Sequence, residues 1–210
     1  GYDPRDPNSV SGPPSQASAT LIGGPEGRGP LSLQGLKLGV PSESFVTPLD
    51  PEVRAACQAA LLVLKEEGAV VVDVDVQRPT MQTYRTIQMP EASLAHMEKS
   101  WLTERLESYG EPTRKRLLEG QNILAVDYLR AQHERRIFSS NLRAVMQGVD
   151  ALVLPTLPVP AISREQIYQD INIDGVIENA TAALLRLTYP FNLAGLPAIS
   201  LPCGFTANGL

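Results

Sequence analysis

The 210-residue chain contains no apolar run as long as a transmembrane helix, and its first residues do not form a basic and apolar signal segment. Its net charge is −5 without any basic block, so the electrostatic footprint of a nucleic-acid-binding protein is absent. Cys57 and Cys203 lie far apart and lack the spacing of metal ligands. We therefore expect a cytoplasmic protein with two reduced, buried thiols, no metal, no cofactor and no membrane contact.

The two histidines offer little catalytic chemistry. His96 has Ser93 and Ser100 at positions i−3 and i+4 of a predicted helix, which allows a contact between serine and histidine. Such a pair would lack a strained nucleophile turn and an oxyanion site, so a structural helix histidine is the better interpretation. His133 stands among Glu134 and several arginines and is predicted to lie on the surface.

Glycine and proline are concentrated near the beginning of the chain. Residues 1–35 therefore read as an irregular lead-in, and residues 36–210 as one domain. The stretch Gly23-Gly-Pro-Glu-Gly-Arg-Gly-Pro30 is rich in glycine but lacks the Gly-Lys-Ser/Thr ending of a phosphate-binding loop. A surface linker is the simpler interpretation of this stretch.

The next part of the chain shows alternating strands and helices. Leu36–Val40 has the composition of a short strand, and Asp50-Pro51-Glu52 supplies an N-cap, a first-turn proline and a first-turn acid. The helix that follows should end at Gly68, before a second strand over Ala69–Val76. Strand, helix and strand in this order predict an α/β fold with a mixed sheet flanked by helices.

Three helical stretches are predicted in the middle of the chain. The first spans Met81 to about Tyr109 and should be broken by Pro90, and the second covers Pro112–Gly120. The third runs from Val126 to about Gln147, with its arginines and Glu134 forming a solvated face. The apolar residues expected to point inward from this third helix are Tyr128, Leu129, Ile137, Leu142 and Val145.

The last third of the chain should complete the sheet. Val149–Leu154 is predicted to be a buried strand that places Thr156 just past its carboxyl end, where open α/β sheets usually bind ligands. A loop is expected up to about Gly175, and a helix over Ala180–Leu187. Beyond an apolar turn, Ala198–Leu201 has the length and composition of a buried strand.

The segment Asn192-Leu-Ala-Gly-Leu-Pro-Ala-Ile-Ser-Leu-Pro-Cys-Gly-Phe205 resembles a signature segment of the amidase-signature family. These serine amidohydrolases include the A subunit of glutamyl-tRNA(Gln) amidotransferase. Three further landmarks of the family precede this segment, in the order in which they occur in family members. They are Gly1-Tyr-Asp-Pro-Arg-Asp6, Glu91–His96 and Asp150–Pro158. The resemblance implies that residues 36–210 are the C-terminal part of a single α/β amidase-signature domain.

The resemblance also implies a reaction, which is hydrolysis of a linear carboxamide by a Ser–cis-Ser–Lys triad through an acyl-enzyme. A serine hydroxyl needs a base, and the developing oxyanion needs N–H donors such as those of a glycine- and serine-rich loop. The family's Gly-Gly-Ser-Ser-Gly-Gly loop and its lysine precede the Gly-x-Asp-Pro-x-Asp landmark and do not occur in these residues. We therefore assign no catalytic residue here and expect the chain alone to be inactive.

Four residues are candidates for binding the amide substrate. Arg116 matches a region that holds a substrate carboxylate in amidotransferase-type members, which a guanidinium can do by bidentate pairing, although a surface arginine fits equally well. Asn192 belongs to the signature segment but also suits a structural turn. Trp101, the only tryptophan, could line a pocket or pack in the core, and Thr156 stands at the predicted strand end.

Three hypotheses about function remain open on the sequence. The first is a general amidase, with a small-molecule amide as substrate. The second is the A subunit of the tRNA-dependent amidotransferase, against which Leu185 counts, because those proteins tend to carry an acid at the aligned position. The third is a non-catalytic α/β module that binds or complements another chain. An isolated part of a domain should expose apolar surface, so we also expect self-association, for example as a homodimer.

Overall fold

A three-stranded parallel sheet organises the part of the chain that the computed structural model describes, residues 33–209. β1 (Lys37–Pro41) lies in its centre, between β2 (Val70–Val74) and β3 (Ala151–Leu152). Leu38 pairs with Val71 on one side and with Ala151 on the other. The predicted α/β class is therefore confirmed. The predicted irregular segment 1–35 falls almost entirely on residues 1–32, which lie outside the described residues.

Two helices connect β1 to β2 and confirm the predicted strand–helix–strand unit. They are α1 (Glu43–Val46) and α2 (Pro51–Glu66). Asp50 is the N-cap of α2, since its Oδ1 accepts hydrogen bonds from the backbone N–H groups of Glu52 at 2.8 Å and Val53 at 3.3 Å. The chain leaves α2 through Gly68, whose φ of 98° favours glycine. The predicted start and stop of this helix are thus correct.

A helical layer follows β2 and precedes β3. It comprises α3 (Met81–Glu98), α4 (Trp101–Glu104), a 3₁₀ turn over Leu106–Ser108, α5 (Glu111–Gly120) and α6 (Ala125–Met146). None of the helices between residues 33 and 209 is both long enough and apolar enough to cross a membrane.

The helix α3 runs through Pro90, so the predicted break at that residue is wrong. A proline inside a helix removes one backbone donor and costs about 3 kcal/mol. Contacts with neighbouring helices hold α3 on both sides of the proline. Ile87 is buried before it, and the Ser93 hydroxyl after it donates to the Leu117 carbonyl oxygen of α5 at 2.7 Å. Tertiary packing therefore overrides the local preference.

The buried face of α6 differs from the predicted one. Leu142 is fully buried as expected, but Leu129 is 64% exposed and Ile137 is 50% exposed. Ala131 and Phe138 are buried in their place. The spacings of seven and four residues from Ala131 to Phe138 to Leu142 define one stripe of a helix, and Leu129 and Ile137 lie off this stripe.

A β-hairpin occupies part of the region predicted to be a loop up to Gly175. β4 (Asp170–Ile173) pairs antiparallel with β5 (Val176–Asn179). The two residues between them, Asp174 and Gly175, have φ values of 50° and 84°. Asp-Gly is a preferred pair for such two-residue hairpin turns, so the signal is present in the sequence. In the other sheet, β3 is shorter than the predicted strand Val149–Leu154.

Two short helices complete the described elements, α7 (Ala180–Arg186), as predicted, and α8 (Tyr189–Ala194). The expected apolar turn at residues 191–193 is therefore wrong, because these residues lie within α8. Pro190 stands in its first turn. Gly195 ends it with a φ of 67°, and the N–H of Gly195 donates to the Asn192 carbonyl oxygen at 3.2 Å.

The predicted strand Ala198–Leu201 is not formed. Ile199 and Leu201 are 82% and 70% exposed, and Cys203 is exposed as well, so the prediction of a buried thiol is wrong for this residue. A strand is stable only when a neighbour pairs with its backbone, and no described strand lies alongside this segment. Local apolar composition alone therefore predicts the wrong structure here.

The main hydrophobic core lies between the carboxyl ends of the sheet strands and the helices α1, α6 and α8. A second cluster packs α7 against the β4–β5 hairpin, and a third joins α3, α6 and α8. The buried members of the main core are Phe45, Val46, Leu49, Val76, Phe138, Leu142, Leu187 and Ala194. The helix α8 thus contributes to two of the three clusters.

Candidate functional site

Thr156 and Ser200 bring two separate landmark segments together. Thr156 follows β3, at the carboxyl end of the parallel sheet, as predicted. Its Oγ1 lies 2.8 Å from the Ser200 Oγ, within hydrogen-bond distance. Both side chains are exposed. The residues after Gly195 therefore run beside the strand end at which α/β proteins usually bind their ligands.

Arg116 is exposed on α5, and its guanidinium is available to a ligand. In the described part of the chain, its Nε donates only to the Pro112 carbonyl oxygen of its own helix, at 3.4 Å. The two neighbouring cations are engaged, because Arg114 pairs with Glu107 at 2.7 Å and Lys115 lies 3.9 Å from Glu119. Within residues 33–209, no carboxylate forms an ion pair with Arg116.

Trp101 belongs to an aromatic cluster at the start of α4. Its ring is 37% exposed and meets the His96 ring edge-on, with the ring centroids 5.4 Å apart. The His96 Nδ1 is 2.5 Å from the Tyr109 hydroxyl oxygen. The Ser93 hydroxyl instead donates to backbone carbonyl oxygens. The structure therefore gives His96 a tyrosine partner and leaves Trp101 between core and surface.

Asn192 lies on the exposed side of α8, and Leu185 lies in the apolar cluster beside that helix. Leu185 is partly buried and packs against the cluster that contains Ile87, Tyr189 and Leu193. An acidic side chain in this position would be surrounded by hydrocarbon and would lose solvation. The surroundings of Leu185 thus match its own apolar character.

A groove of about 450 Å³ is lined by Arg78, Glu178 and Arg186, and no sequence signal singles it out. Arg186 is only 5% exposed and donates from Nε to Glu178 at 3.1 Å and from Nη1 to the Val46 carbonyl oxygen at 2.7 Å. Its Nη2 donates to the Pro48 carbonyl oxygen. Burial lowers the pKa of Arg186, Glu178 opposes this shift, and the nearby Arg78 adds to it.

The other wall of this groove is aromatic. The guanidinium carbon of Arg78 lies 5.6 Å from the centre of the Phe45 ring, in the geometry of a cation–π contact. The Tyr189 hydroxyl donates to the Pro79 carbonyl oxygen, and burial raises the pKa of this tyrosine while Arg78 opposes the shift. No sequence motif marks this groove, because its walls come from α1, the segment after β2, the start of α3, β5, α7 and α8.

The polar residues of α6 do more than face solvent. The Thr83 hydroxyl of α3 donates to Glu134 at 2.5 Å, and the Arg135 Nε donates to the Leu193 carbonyl oxygen of α8 at 2.7 Å. Glu134 is exposed, as predicted, although it also accepts the bond from Thr83, whereas the predicted solvated position is wrong for the partly buried Arg135. His133 is exposed, as predicted. Periodicity could not separate these residues, because long polar side chains reach neighbouring helices from the rim of a buried face.

The described residues form part of an α/β domain. It has a small parallel sheet, flanking helices and an antiparallel hairpin. The sequence profile of the family described as Amidase matches residues 1–210, the whole chain. The chain belongs to this family, the amidase-signature enzymes, and the resemblance seen in its motifs is confirmed.

The relatives include two kinds of protein. An amidase of Pseudomonas putida is 38% identical over 214 residues, which cover 100% of this chain and 43% of that protein. The A subunit of the glutamyl-tRNA(Gln) amidotransferase of Myxococcus xanthus is 34% identical over 233 residues, covering 99% of this chain and 45% of that protein. The chain thus spans less than half the length of these curated relatives.

Solved structures agree with the family. A crystal structure of an amidase superposes with a TM-score of 0.69 at 29% identity, covering 81% of this chain and 40% of that one. A bacterial aryl acylamidase of the amidase-signature family gives a TM-score of 0.67 at 21% identity, covering 100% of this chain and 43% of that one. The second likeness shows a shared fold.

Proposed function

We propose that these residues are the C-terminal portion of an amidase that hydrolyses the C–N bond of linear carboxamides through a serine acyl-enzyme. The observation that carries this proposal is the match of the amidase family to the whole chain. In this proposal, the chain forms the scaffold and one side of the substrate cleft. We expect the protein to be located in the cytoplasm. The nucleophile, the base and the oxyanion loop would come from residues that these 210 do not include.

We further propose that Arg116, Trp101, Thr156 and Asn192 contact the substrate. All four retain exposed surface. Arg116 has the most specific chemistry, because a free guanidinium on a helix surface can take a carboxylate by two parallel hydrogen bonds. Trp101 offers a partly exposed ring, and Thr156 and Asn192 offer a hydroxyl and an amide.

A general amidase is favoured over the amidotransferase protein. Leu185 packs against the apolar cluster of Ile87, Tyr189 and Leu193, so this position offers hydrocarbon to a substrate and no charge for the amide of glutamine. The A subunit of the amidotransferase is the second candidate function, because such proteins are among the relatives. Activity on glutamine, compared with aliphatic and aromatic amides, distinguishes the two.

A chimera tests the amidase proposal. This chain would replace the segment of the Pseudomonas putida amidase to which it aligns, so that the relative supplies the rest of the domain. We expect the chimera to hydrolyse simple amides and to lose activity when the relative's nucleophilic serine is replaced. A chimera that folds, as judged by circular dichroism and gel filtration, and still hydrolyses no amide would favour the non-catalytic module instead.

The 210-residue chain tests the assignment of the catalytic residues. The sequence contains no Gly-Gly-Ser-Ser-Gly-Gly loop, and a serine without a base and N–H donors is a poor nucleophile. We expect no turnover of the same amides by the purified chain. Turnover that disappears when one of its own serines is replaced by alanine would refute this assignment.

We also propose that the purified chain self-associates. Ile199, Leu201 and Phe205 are 82%, 70% and 85% exposed within one short segment, and large exposed apolar patches favour association. Light scattering after gel filtration should show a dimer or larger species whose share grows with concentration. A monomer at all concentrations with a sharp, cooperative unfolding transition would contradict this expectation.

A further inference from the structure

The chain's two cysteines meet in space, although they are far apart in the sequence. Cys57 lies in the middle of α2 and is partly buried, whereas Cys203 is exposed in the segment that follows α8. The two thiols are close enough for Cys203 to contribute to the raised pKa of Cys57. Both thiols are free. These 210 residues contain no other cysteine, so any disulfide formed within them must join these two.

Two contacts that follow Cys203 in the sequence hold the segment against α2. A Cβ atom on Gly204 would lie 3.2 Å from the Ala56 Cβ, so the glycine permits a close approach to the residue next to Cys57. Three residues further on, the Ala207 N–H donates to the Glu52 Oε1 at 3.3 Å. The contact between the thiols thus belongs to a longer docking of the segment along one helix.

The two thiols differ in access. Cys203 is exposed and can be reached by a dissolved oxidant, while the partly buried Cys57 is shielded by its helix and by the docked segment. Oxidation of an exposed thiol next to a second thiol is the usual arrangement of a redox-sensitive pair. The second thiol then reacts within the molecule and protects the first from further oxidation.

We propose that Cys57 and Cys203 form a reversible disulfide when the protein meets a hydroperoxide. The Cys203 sulfur first attacks the peroxide oxygen, the O–O bond breaks, and a sulfenic acid and one water form. The Cys57 sulfur then attacks the Cys203 sulfur, and the hydroxyl group leaves as a second water with the Cys57 thiol proton. Two thiols and one hydrogen peroxide thus give one disulfide and two waters, with the sulfurs oxidised and the peroxide reduced.

The disulfide would clamp the segment after α8 onto α2. It would close a loop over residues 58–202, and cross-links across long loops restrict the unfolded chain most strongly. The oxidised chain should therefore unfold at a higher temperature, by about 5 °C or more for a chain of this size. Reduction by dithiothreitol should reverse the shift.

The experiment uses the 210-residue chain, reduced, desalted and diluted, and then treated with one equivalent of hydrogen peroxide. We expect both thiols to disappear from alkylation, the intact mass to fall by two hydrogen atoms, and a non-reduced digest to contain the linked Cys57 and Cys203 peptides. On a non-reducing gel the product should migrate as a monomer, and dithiothreitol should restore both thiols.

Two variants provide the controls. Cys57→Ser and Cys203→Ser each leave one thiol, so neither should show the mass loss or the rise in unfolding temperature. The proposal is overturned if the wild-type thiols stay alkylatable, if oxygen is added without loss of hydrogen, or if the only disulfide joins two molecules. Because each of these results comes from the wild-type chain, a poorly folding variant does not obscure the outcome.

Discussion

Arg186 on α7 is paired with Glu178 on β5, and the remaining donors of its guanidinium point to the carbonyl oxygens of Val46 and Pro48. The arginine side chain is 7% exposed and the glutamate side chain 22% exposed. This one side chain therefore ties the hairpin to the loop that follows α1. Since burial opposes its charge, the arginine depends on the carboxylate that neutralises it.

Replacing Glu178 should destabilise the fold. Glu178→Ala leaves the buried Arg186 without its carboxylate, and loss of one partner of a buried pair typically costs about 3–5 kcal/mol. Urea unfolding followed by circular dichroism measures the change. Glu98→Ala, at an exposed position at the end of α3, is the matched control and should change the free energy of unfolding by less than about 0.5 kcal/mol. Equal effects of the two variants would contradict the pairing.

A methyl group on Gly120 should disrupt the contact between α3 and α5. A Cβ atom there would overlap the Ser93 hydroxyl oxygen and the Met89 carbonyl oxygen. Gly120→Ala should therefore lower the free energy of unfolding by about 1–3 kcal/mol, as overpacking does. Gly148→Ala, whose added Cβ meets only the Val145 carbonyl oxygen at 3.6 Å, should stay within about 0.5 kcal/mol of the wild type. Thermal unfolding of both variants gives the comparison.

Two leucines of α6 should respond differently to truncation. Leu142 is 0% exposed and belongs to the main core, whereas Leu129 is 64% exposed. We expect Leu142→Ala to cost about 2–5 kcal/mol, because it removes buried methyl groups and leaves a cavity. Leu129→Ala should cost less than about 0.5 kcal/mol. Chemical denaturation of the two variants is the test, and a large loss from Leu129→Ala alone would show that its face is covered.

Alkylation of Cys57 should depend steeply on pH. Burial, with Cys203 as the second cause, raises the pKa of the Cys57 thiol to about 11. Only the thiolate reacts, so at pH 8 its thiolate fraction is about 100-fold below that of an ordinary cysteine. The rate with iodoacetamide, followed by mass spectrometry at each site, should rise about tenfold per pH unit up to about pH 11. The control is a cysteine peptide, whose alkylation rate stops rising at a lower pH. If Cys57 reacted as fast as this peptide at pH 8, its pKa would not be raised.

Arg116 should govern binding of acidic amides if it takes the substrate's carboxylate. In the chimera with the Pseudomonas putida amidase, Arg116→Ala should raise KM for amides that carry a carboxylate by about 10-fold or more, which corresponds to one lost charge-assisted hydrogen bond. Neutral amides should be unaffected. Lys115→Ala removes a neighbouring exposed cation and serves as the control. No change in KM for Arg116→Ala would remove the argument for this arginine.

Much of the fold could be predicted from local sequence. Asp50, Pro51 and Gly68 mark the ends of α2 by capping chemistry, which needs no knowledge of the rest of the chain. Two predictions were wrong because contacts with the rest of the chain decide the structure there. They are the helix break at Pro90 and the strand at Ala198–Leu201. A helix can continue through proline when its neighbours hold it, and an apolar segment becomes a strand only beside a partner.

The candidate site was predicted in part. Thr156 could be placed at a strand end because Pro155 stops the strand, and the structure puts it there. The groove at Arg186 could not be predicted. The partner of this arginine, Glu178, lies on a hairpin that begins in the predicted loop and ends just after it. The meeting of Cys57 and Cys203 was missed for a similar reason, because sequence distance gives no sign of a segment that returns to an earlier helix.

The central position of β1 has a consequence for how the chain folds. Leu38 pairs with Val71, which is close in sequence, and also with Ala151, which lies beyond the whole helical layer. Loop-closure entropy grows by about 0.6 kcal/mol with each doubling of the connecting length, so the first pairing is the less costly one. The β1–β2 unit can therefore act as the nucleus on which the sheet assembles. We expect the third strand to dock after the four intervening helices have begun to collapse, and this docking to be the slowest step of folding.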